Sequence, residues 1–359
     1  MTTRFLQDIL NEPGELSRSL AYTLGPGRPA LERAADLARG AAHLTLTGIG
    51  SSWHAGMAML SVLDAAGVPA RLADASELLH FARLPPGSAL VILSRSGKSV
   101  EVVRLLDKAA AAGARVIGVT NTPDSPLGAR ADVVVRVNAA FDHLVSVSMY
   151  SALALVGALL AAAIAGDVGE ELESVLHPAL VAAREAIPGW QARIADNSWF
   201  EANAPTYFLA RGGSLASCHE ARLLWEEAAK APAAAMMTGC FRHGPQEVLA
   251  PGLRIGLWLD GERLREEDLA LVRDLRAYGA QVMLIGQAVP EDAADLVLPL
   301  PETAAAWQFL VDIMPAQLAA EHLSRLRGID PDTFRICPYI IEAEGGLTTS
   351  SPSAESSLA

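Results

Sequence analysis

The sequence predicts an α/β protein with two parallel sheets, each flanked by helices. Short apolar runs, typical of strands that helices cover on both faces, alternate with amphipathic helical patterns. Glycine- or serine-rich loops follow several of these runs, as at the strand-to-helix turns of βαβ units. The spacing of three runs in the first half recurs in the second half, with gaps slightly under about 50 and slightly over about 25 residues, which indicates a duplicated unit.

The predicted elements follow the same order in both halves. In the first half, strands cover 43–48, 89–93 and 114–120, and helices cover 51–65 and 100–112. In the second half, strands cover 206–210, 254–259 and 281–286, and a helix covers 266–278. We therefore divide the chain into an N-terminal helical segment (1–24), a first domain (25–175), a helical connector (176–198), a second domain (199–344) and a flexible tail (345–359).

The composition argues against several broad classes of protein. The chain has 359 residues, of which 51% are hydrophobic, enough for two or three domains and too many for wholesale disorder. A net charge of −13 argues against a nucleic-acid surface, which needs a basic face. Cys218, Cys240 and Cys337 form no C-x-x-C pair, so we expect reduced thiols in a cytoplasmic protein. Cys240 and His243 have a C-x-x-H spacing that no second pair completes into a zinc set, and we expect no metal and no redox cofactor.

One segment has the length and composition of a membrane span. Residues 145–166 are uncharged and mostly apolar over about 20 residues, which is the length that a bilayer requires. The segment is dominated by Ala, Leu and Ser, and no Lys or Arg cluster flanks it. A helix buried on all sides in a large domain has the same composition, and we favour that interpretation. The first eight residues contain no apolar core of signal-peptide length, so we do not expect export.

The first candidate site is the loop 94–99, Ser-Arg-Ser-Gly-Lys-Ser, between a predicted strand and a predicted helix. Hydroxyls, cations and the amides of a helix N-terminus suit an anion such as phosphate. The loop 48–52, Gly-Ile-Gly-Ser-Ser, stands at the corresponding turn of another strand in the same half. It lacks the rest of a dinucleotide fingerprint, and Ile92 occupies the first glycine position of a Walker loop. An ordinary serine-rich turn with helix caps is the alternative.

The second candidate site lies in the second half. Several charged residues fall on one predicted helix, where many would form a solvated face with i,i+4 pairs: Glu220, Arg222, Glu226, Glu227 and Lys230. His243 follows in a loop, because Pro245 disfavours helical geometry at Gly244. A loop histidine near helix carboxylates fits general acid–base catalysis, and a purely structural histidine is the alternative.

These motifs together resemble the SIS (sugar isomerase) family, in the two-domain arrangement of the isomerase half of glucosamine-6-phosphate synthase. Residues 50–56 (GSSWHAG) are similar to the family's GTSYHAG, and residues 94–99 (SRSGKS) to its SQSGET. Residues 220–227 (EARLLWEE) are similar to EGALKLKE, and residues 242–245 (RHGP) to KHGP. Residues 5–20 resemble the family's opening helix, with Glu12-Pro13 at its Q-P turn. The resemblance covers about residues 5–340 and implies two duplicated SIS domains, each a parallel sheet flanked by helices.

The resemblance also implies roles for single residues. A sugar phosphate would be held at its phosphate by Ser51, Ser52, Ser94, Arg95, Ser96 and Ser99, with Gly50, Val145 and Tyr339 as further candidates for substrate contact. Glu227 matches the carboxylate that moves a proton between two sugar carbons, and His243 matches the histidine that opens the sugar ring. In the family this histidine enters from the neighbouring subunit, which implies a homodimer with a shared active site. No nucleic-acid or membrane partner is implied.

Two positions depart from the family pattern. Tyr339 stands where the synthase has its Schiff-base lysine, and Leu224 replaces the lysine of the EGALK motif. We expect an enzyme that isomerises, deaminates or deglycates an amino-substituted hexose 6-phosphate by proton transfer through Glu227 and His243. A non-catalytic regulator that binds a sugar phosphate is the alternative, since a lost lysine is compatible with lost catalysis.

Overall fold

The computed structural model describes residues 2–168 and 171–347, and it contains two parallel five-stranded sheets. The first sheet consists of β1 His43–Gly48, β2 Arg71–Asp74, β3 Ser88–Leu93, β4 Arg115–Thr120 and β5 Val133–Arg136, in the order β2-β1-β3-β4-β5. The second consists of β6 Thr206–Ala210, β7 Ala233–Met237, β8 Arg254–Trp258, β9 Gln281–Gln287 and β10 Leu296–Leu300, in the order β10-β9-β8-β6-β7. Read from β7, the second sheet has the same strand order as the first. The predicted α/β class and the parallel sheets are confirmed.

Helices connect these strands. Those of the first half are α1 Arg4–Leu24, α2 Arg28–Arg39, α3 Ser51–Ala65, α4 Ala75–His80, α5 Val100–Ala111, α6 Pro126–Arg130 and α7 Ser148–Ala165. Those that follow are α8 Glu171–Ala195, α9 Ser214–Glu227, α10 Thr238–Phe241, α11 Arg265–Ala277 and α12 Met314–Leu326, with short 3-10 helices at Pro245–Val248 and Ala305–Leu310. Helix α8 covers most of the predicted connector, and the domain boundaries themselves stay a prediction.

The strands that the sequence analysis missed are the four edges of the two sheets: β2, β5, β7 and β10. Three of them are short and only partly buried, with alternating or intermediate exposure along β2, β5 and β7. The central strands β1, β3, β4, β6, β8 and β9 are almost continuously buried. The sequence of a strand that is covered on both faces is a continuous run of apolar residues, whereas the sequence of a partly exposed strand is not.

Helix α7 is the apolar segment that has the composition of a membrane span. It is long and apolar enough to cross a bilayer, yet 94% of its 18 residues are buried within the protein. Helices α1, α2 and α3 pack against it. Apolar side chains from both sheets, such as Leu46 and Phe208, belong to the same core cluster as α7. The prediction of a buried core helix is therefore confirmed.

Helix α1 links the beginning of the chain to its C-terminal region. Its N-terminal amides at Arg4 and Phe5 donate to the carboxylate of Asp332 (2.7 and 2.8 Å), which caps the helix. The turn expected at Glu12-Pro13 is wrong, because α1 continues through Pro13. Both residues are buried, and packing of α1 against α7 and α8 offsets the backbone hydrogen bond that proline cannot donate. Of the predicted tail, residues 345–347 are exposed and residues 348–359 lie outside the described residues.

Glu12 places a carboxyl group in the interior, which makes the stability of the protein depend on pH. The Gln317 amide donates to its Oε1 (3.3 Å), its Oε2 has no partner among the described residues, and burial raises its pKa from 4.5 to about 8. The folded state then keeps a proton that the unfolded chain releases, so this group's contribution to stability falls as pH rises from 4.5 to about 8. We expect Glu12→Gln to raise the free energy of unfolding by roughly 2 kcal/mol at about pH 8 and by much less at about pH 5. Denaturant unfolding at both pH values measures this, and an equal change at both would contradict it.

Candidate active site

A cavity of about 210 Å³ opens at the carboxyl ends of the strands of the first sheet. Its wall has three parts, which come from distant places in the sequence. The loops 49–52 and 94–99 of the first half supply serines, the end of α9 supplies Glu227, and the C-terminal segment 334–341 closes one side. The predicted contacts Gly50, Ser51, Ser52, Ser94, Arg95, Ser96, Ser99, Glu227 and Tyr339 all line this one cavity.

The loop 94–99 is shaped by its own hydroxyl groups. Ser94 Oγ accepts a hydrogen bond from the Gly97 amide (3.0 Å), and Ser96 Oγ accepts one from the Lys98 amide (3.3 Å). Gly97 has φ +62°, and a Cβ there would lie 2.1 Å from the Ser125 hydroxyl, so only glycine fits. Within the described part of the chain, these two hydroxyls accept but do not donate, so each can donate its hydrogen to an anion.

Two further serines stand at helix N-termini beside this loop. Ser99 immediately precedes α5, but its side chain makes no capping hydrogen bond. Ser52 lies in the first turn of α3, and within the described ranges its hydroxyl has no hydrogen-bond partner. Free hydroxyls at two helix N-termini that face one cavity are suited to hold a phosphate, because both helix dipoles favour negative charge there.

Arg95 contributes a cation to the cavity wall. Its guanidinium carbon lies 4.2 Å from the centre of the Tyr339 ring, and its Nη2 donates to the Tyr339 carbonyl oxygen (3.4 Å). In the part of the chain that the structure describes, Arg95 forms no ion pair with a carboxylate. Its charge is therefore available to an anionic ligand, while the tyrosine ring holds the side chain in place.

Glu227 is the last residue of α9, and its carboxyl group faces the same cavity. The pKa of Glu227 is raised from 4.5 to about 7, mainly by burial and in part by the nearby carboxyl of Glu220, whereas Arg95 and Lys230 oppose the rise. A carboxylic acid with a pKa near 7 exchanges protons readily at neutral pH, which suits a general acid or base.

The C-terminal segment 334–344, here called the strap, leaves the second half after α12 and crosses the first half. The Val100 amide at the start of α5 donates to the Ile341 carbonyl oxygen (3.0 Å). Glu344 lies 2.5 Å from His80 Nε2 and also pairs with Arg104, so its carboxyl contacts both α4 and α5. The strap thereby fixes Tyr339 at the cavity wall.

Several cavity residues were not predicted, and one predicted residue is placed elsewhere. Glu101, Leu144, Ser146, Phe334 and Cys337 also line the cavity. Val145 does not: its side chain is 2% exposed and lies in the apolar core, while its two neighbours face the cavity. No local pattern marks these positions, because they reach the cavity through long-range packing of a loop and the strap.

His243 does not share the cavity of Glu227 within one chain. It is exposed in a turn after α10, and it lines a separate, open cavity of about 580 Å³ with Met237 and Cys240 at the end of β7. The catalytic role of His243, and its entry from a neighbouring subunit, stay predictions.

An open cavity also lies at the carboxyl ends of β6 and β7, but the serines at the corresponding turn of the second half do not line it. Ser214 and Ser217, at the start of α9, donate to the two carboxylate oxygens of Asp312 (2.6 and 2.5 Å). Asp312 is fully buried, and burial raises its pKa from 3.8 to about 7. These hydroxyls are committed inside the protein, whereas those of Ser52 and Ser99 are not. Among residues 2–168 and 171–347, no group of three or more His, Cys, Asp or Glu side chains could hold a metal ion.

Comparison with known proteins identifies one domain. The family model of the SIS domain matches residues 38–165, which include β1 to β5 and the loops 49–52 and 94–99. The match covers the first half, so a second SIS domain is not established by it. The second sheet has the same strand order as the first, but the family model does not extend to it.

Full-length relatives and solved structures extend the similarity to both halves. The glutamine–fructose-6-phosphate aminotransferase (isomerizing) of Aeropyrum pernix is 29% identical over 350 residues, which are 92% of this chain and 55% of that protein. The chain thus spans about half the length of the curated relatives that it matches. The C-terminal domain of glucosamine-fructose-6-phosphate aminotransferase from Francisella tularensis has a TM-score of 0.82 at 22% identity, covering 93% of this chain and 99% of that one. Glucosamine-6-phosphate deaminase from Thermotoga maritima has a TM-score of 0.79 at 19% identity, covering 94% and 99%. At these identities the structures show the fold.

Proposed function

We propose, from the SIS domain at residues 38–165 and the cavity that it forms, that this chain is an enzyme acting on an amino-substituted hexose 6-phosphate. The observation that supports this most directly is that the serine loops and Glu227 line one cavity. An anion nest beside a carboxyl group with a raised pKa provides a phosphate anchor and a proton carrier for the same small molecule. The names of the relatives, which handle hexose 6-phosphates and their amino derivatives, agree with that substrate class.

In this proposal the phosphate is bound by Ser52, Ser94, Ser96 and Ser99, with Arg95 neutralising charge. Glu227 removes a proton from the carbon next to the carbonyl or imine carbon and returns it to the neighbouring carbon. Proton shuttling of this kind accelerates a reaction by about 10²- to 10⁴-fold. His243 would open the sugar ring from the neighbouring subunit of a homodimer. The second half would then be a second SIS domain that supplies Glu227 and His243.

Among the residues that the structure describes, no lysine lines the cavity, which bears on the type of reaction. Tyr339 occupies one of the family's lysine positions, and Leu224 at the other is 1% exposed within the core. Lys230 follows Glu227 closely, but its ammonium donates to the carbonyl oxygens of Glu227 and Thr333. The described residues of the wall therefore offer no amine that could form a Schiff base with the sugar. A substrate that already carries nitrogen avoids this need, and isomerisation, deamination and deglycation of such a substrate all use the Glu227 proton transfer.

A substrate panel tests the proposed function. Purified protein is incubated with glucosamine 6-phosphate and with fructosamine 6-phosphates, and release of ammonia, amine and hexose phosphate is measured. The same sugars without phosphate serve as the control, because the serine loops should not hold them. Turnover of one phosphorylated compound is the expected result. If none is turned over while glucose 6-phosphate raises the melting temperature, the protein is a sugar-phosphate-binding regulator and the enzyme assignment fails.

A further inference from the structure

A buried pair of side chains joins the two halves directly behind the cavity wall. Ser51, which lines the cavity, donates its hydroxyl hydrogen to Glu220 Oε1 (2.9 Å). The other carboxyl oxygen of Glu220 lies 2.7 Å from His54 Nδ1. The side chains of His54 and Glu220 are 3% and 1% exposed, respectively. Glu220 is therefore not one of the charged residues of α9 that form a solvated face, whereas Arg222 and Glu226 do form the expected i,i+4 pair.

The pair also lies on the helix that carries the proposed base. Glu220 and Glu227 both belong to α9, and Glu227 follows by about two helical turns on the same side of the helix. Helix α9 packs against α3, which carries Ser51 and His54. One hydrogen-bonded carboxyl group thus connects a cavity hydroxyl of the first half to the helix of Glu227 in the second.

Glu220 and His54 are both ionisable, and their burial determines which form each one takes. Burial raises the pKa of Glu220 from 4.5 to about 8 and lowers the pKa of His54 from 6.5 to about 3. Near neutral pH the pair therefore avoids a separated charge, with a proton held between carboxyl and imidazole. The charged or titratable groups that influence Glu220 or are influenced by it come from four helices: Glu12 of α1, His54 of α3, Tyr150 of α7, and Arg222 and Glu227 of α9.

We propose that Glu220 is a positioning residue of the active site, which holds the cavity hydroxyl of Ser51 against α9 through its hydrogen bonds. The proposal rests on the proposed function in taking the cavity as a sugar-phosphate site. Glu220 does not line the cavity, so it acts through Ser51.

The test separates the hydrogen bonds of Glu220 from the mere filling of its buried site. In Glu220→Gln, the amide oxygen can still accept from Ser51 and the amide nitrogen can donate to His54 Nδ1, so both hydrogen bonds are kept. We expect the Kd of this variant for glucose 6-phosphate to stay within about twofold of that of the unmodified protein. Glu220→Ala removes the acceptor of Ser51, and its Kd should rise about tenfold. Ser51→Ala should produce a similar rise, and the double variant should add little to it.

The matched control is Glu12→Ala, which truncates another buried carboxyl group that does not line the cavity. Its Kd for glucose 6-phosphate should stay within about twofold of that of the unmodified protein. A binding titration measures each Kd.

The outcomes distinguish this inference from the proposed function. A Kd that does not rise in Glu220→Ala, or that rises equally in Glu220→Gln or in Glu12→Ala, overturns the role of Glu220. A rise confined to Glu220→Ala and Ser51→Ala supports it, and the binding result holds whether or not any substrate turns over. Turnover by the unmodified protein with an unchanged Kd in Glu220→Ala leaves the proposed function intact and refutes only this inference.

Discussion

Replacing Glu227 by Gln should lower kcat by about 10³-fold or more, because the amide cannot accept the proton that the reaction moves. The carboxyl faces the cavity and its pKa is about 7, so it is the group best placed to exchange a proton with a bound sugar at neutral pH. The Kd for glucose 6-phosphate should change by less than about threefold, since the phosphate is held by the serine loops. Steady-state kinetics and a binding titration measure the two effects separately.

Glu226→Gln is the matched control for this substitution. It removes the same charge from the adjacent residue, which is half-buried, pairs with Arg222 (2.5 Å) and does not line the cavity. Its kcat should stay within about twofold of the unmodified enzyme. An active Glu227→Gln variant, or equal losses in both variants, would remove Glu227 from the role of base.

Two inactive variants should restore activity when they are combined in one dimer. If the chain forms the proposed homodimer with shared sites, a mixed dimer of Glu227→Gln and His243→Asn subunits has one site with an unmodified Glu227 and an unmodified His243. Random pairing makes half of the dimers mixed, so about one quarter of the full activity should return. Co-expression with two different affinity tags isolates the mixed species, and its kcat is compared with each parent variant.

The control for this experiment combines unmodified subunits with the double variant Glu227→Gln/His243→Asn. Neither site of that mixed dimer contains both residues, so the mixed species should be inactive. The prediction depends on the observation that His243 is exposed and lies outside the cavity of Glu227 in one chain. If the first mixture recovers no more activity than its parents, His243 does not act from a neighbouring subunit.

The strands that could be predicted from the sequence are those whose residues are almost all buried. The central strands β3 and β8 are buried along their whole length, and their apolar runs therefore stand out in the sequence. The edge strands β2 and β7 are partly exposed along most of their length, so pairing with a neighbouring strand defines them more than their own residues do. Helix α1 continues through Pro13 for a similar reason, because its packing against neighbouring helices outweighs the tendency of proline to end a helix.

The residues of the candidate active site likewise divide into those that local sequence predicts and those that it does not. The serine loops were predictable because strand, glycine and helix N-terminus are adjacent in the sequence, and local geometry alone assembles them. The strap and Glu101 reach the cavity only through tertiary packing. Glu220 was identified as a helix charge, but its burial against His54 depends on how α9 meets α3, which no spacing in the sequence encodes.

The core around α7 has a consequence for how this protein folds. One continuous apolar cluster contains Leu46 and Ile117 of the first sheet, Phe208 and Ile285 of the second, and nearly all of α7. Two sheets of the same strand order can each suggest an independent module, but neither closes its apolar surface alone. The two halves should therefore gain and lose structure in a single cooperative transition, and a fragment that ends between them would expose the face of α7 that the second half covers. The smallest unit that we expect to fold is therefore the whole core with both sheets, and not one sheet with its own helices.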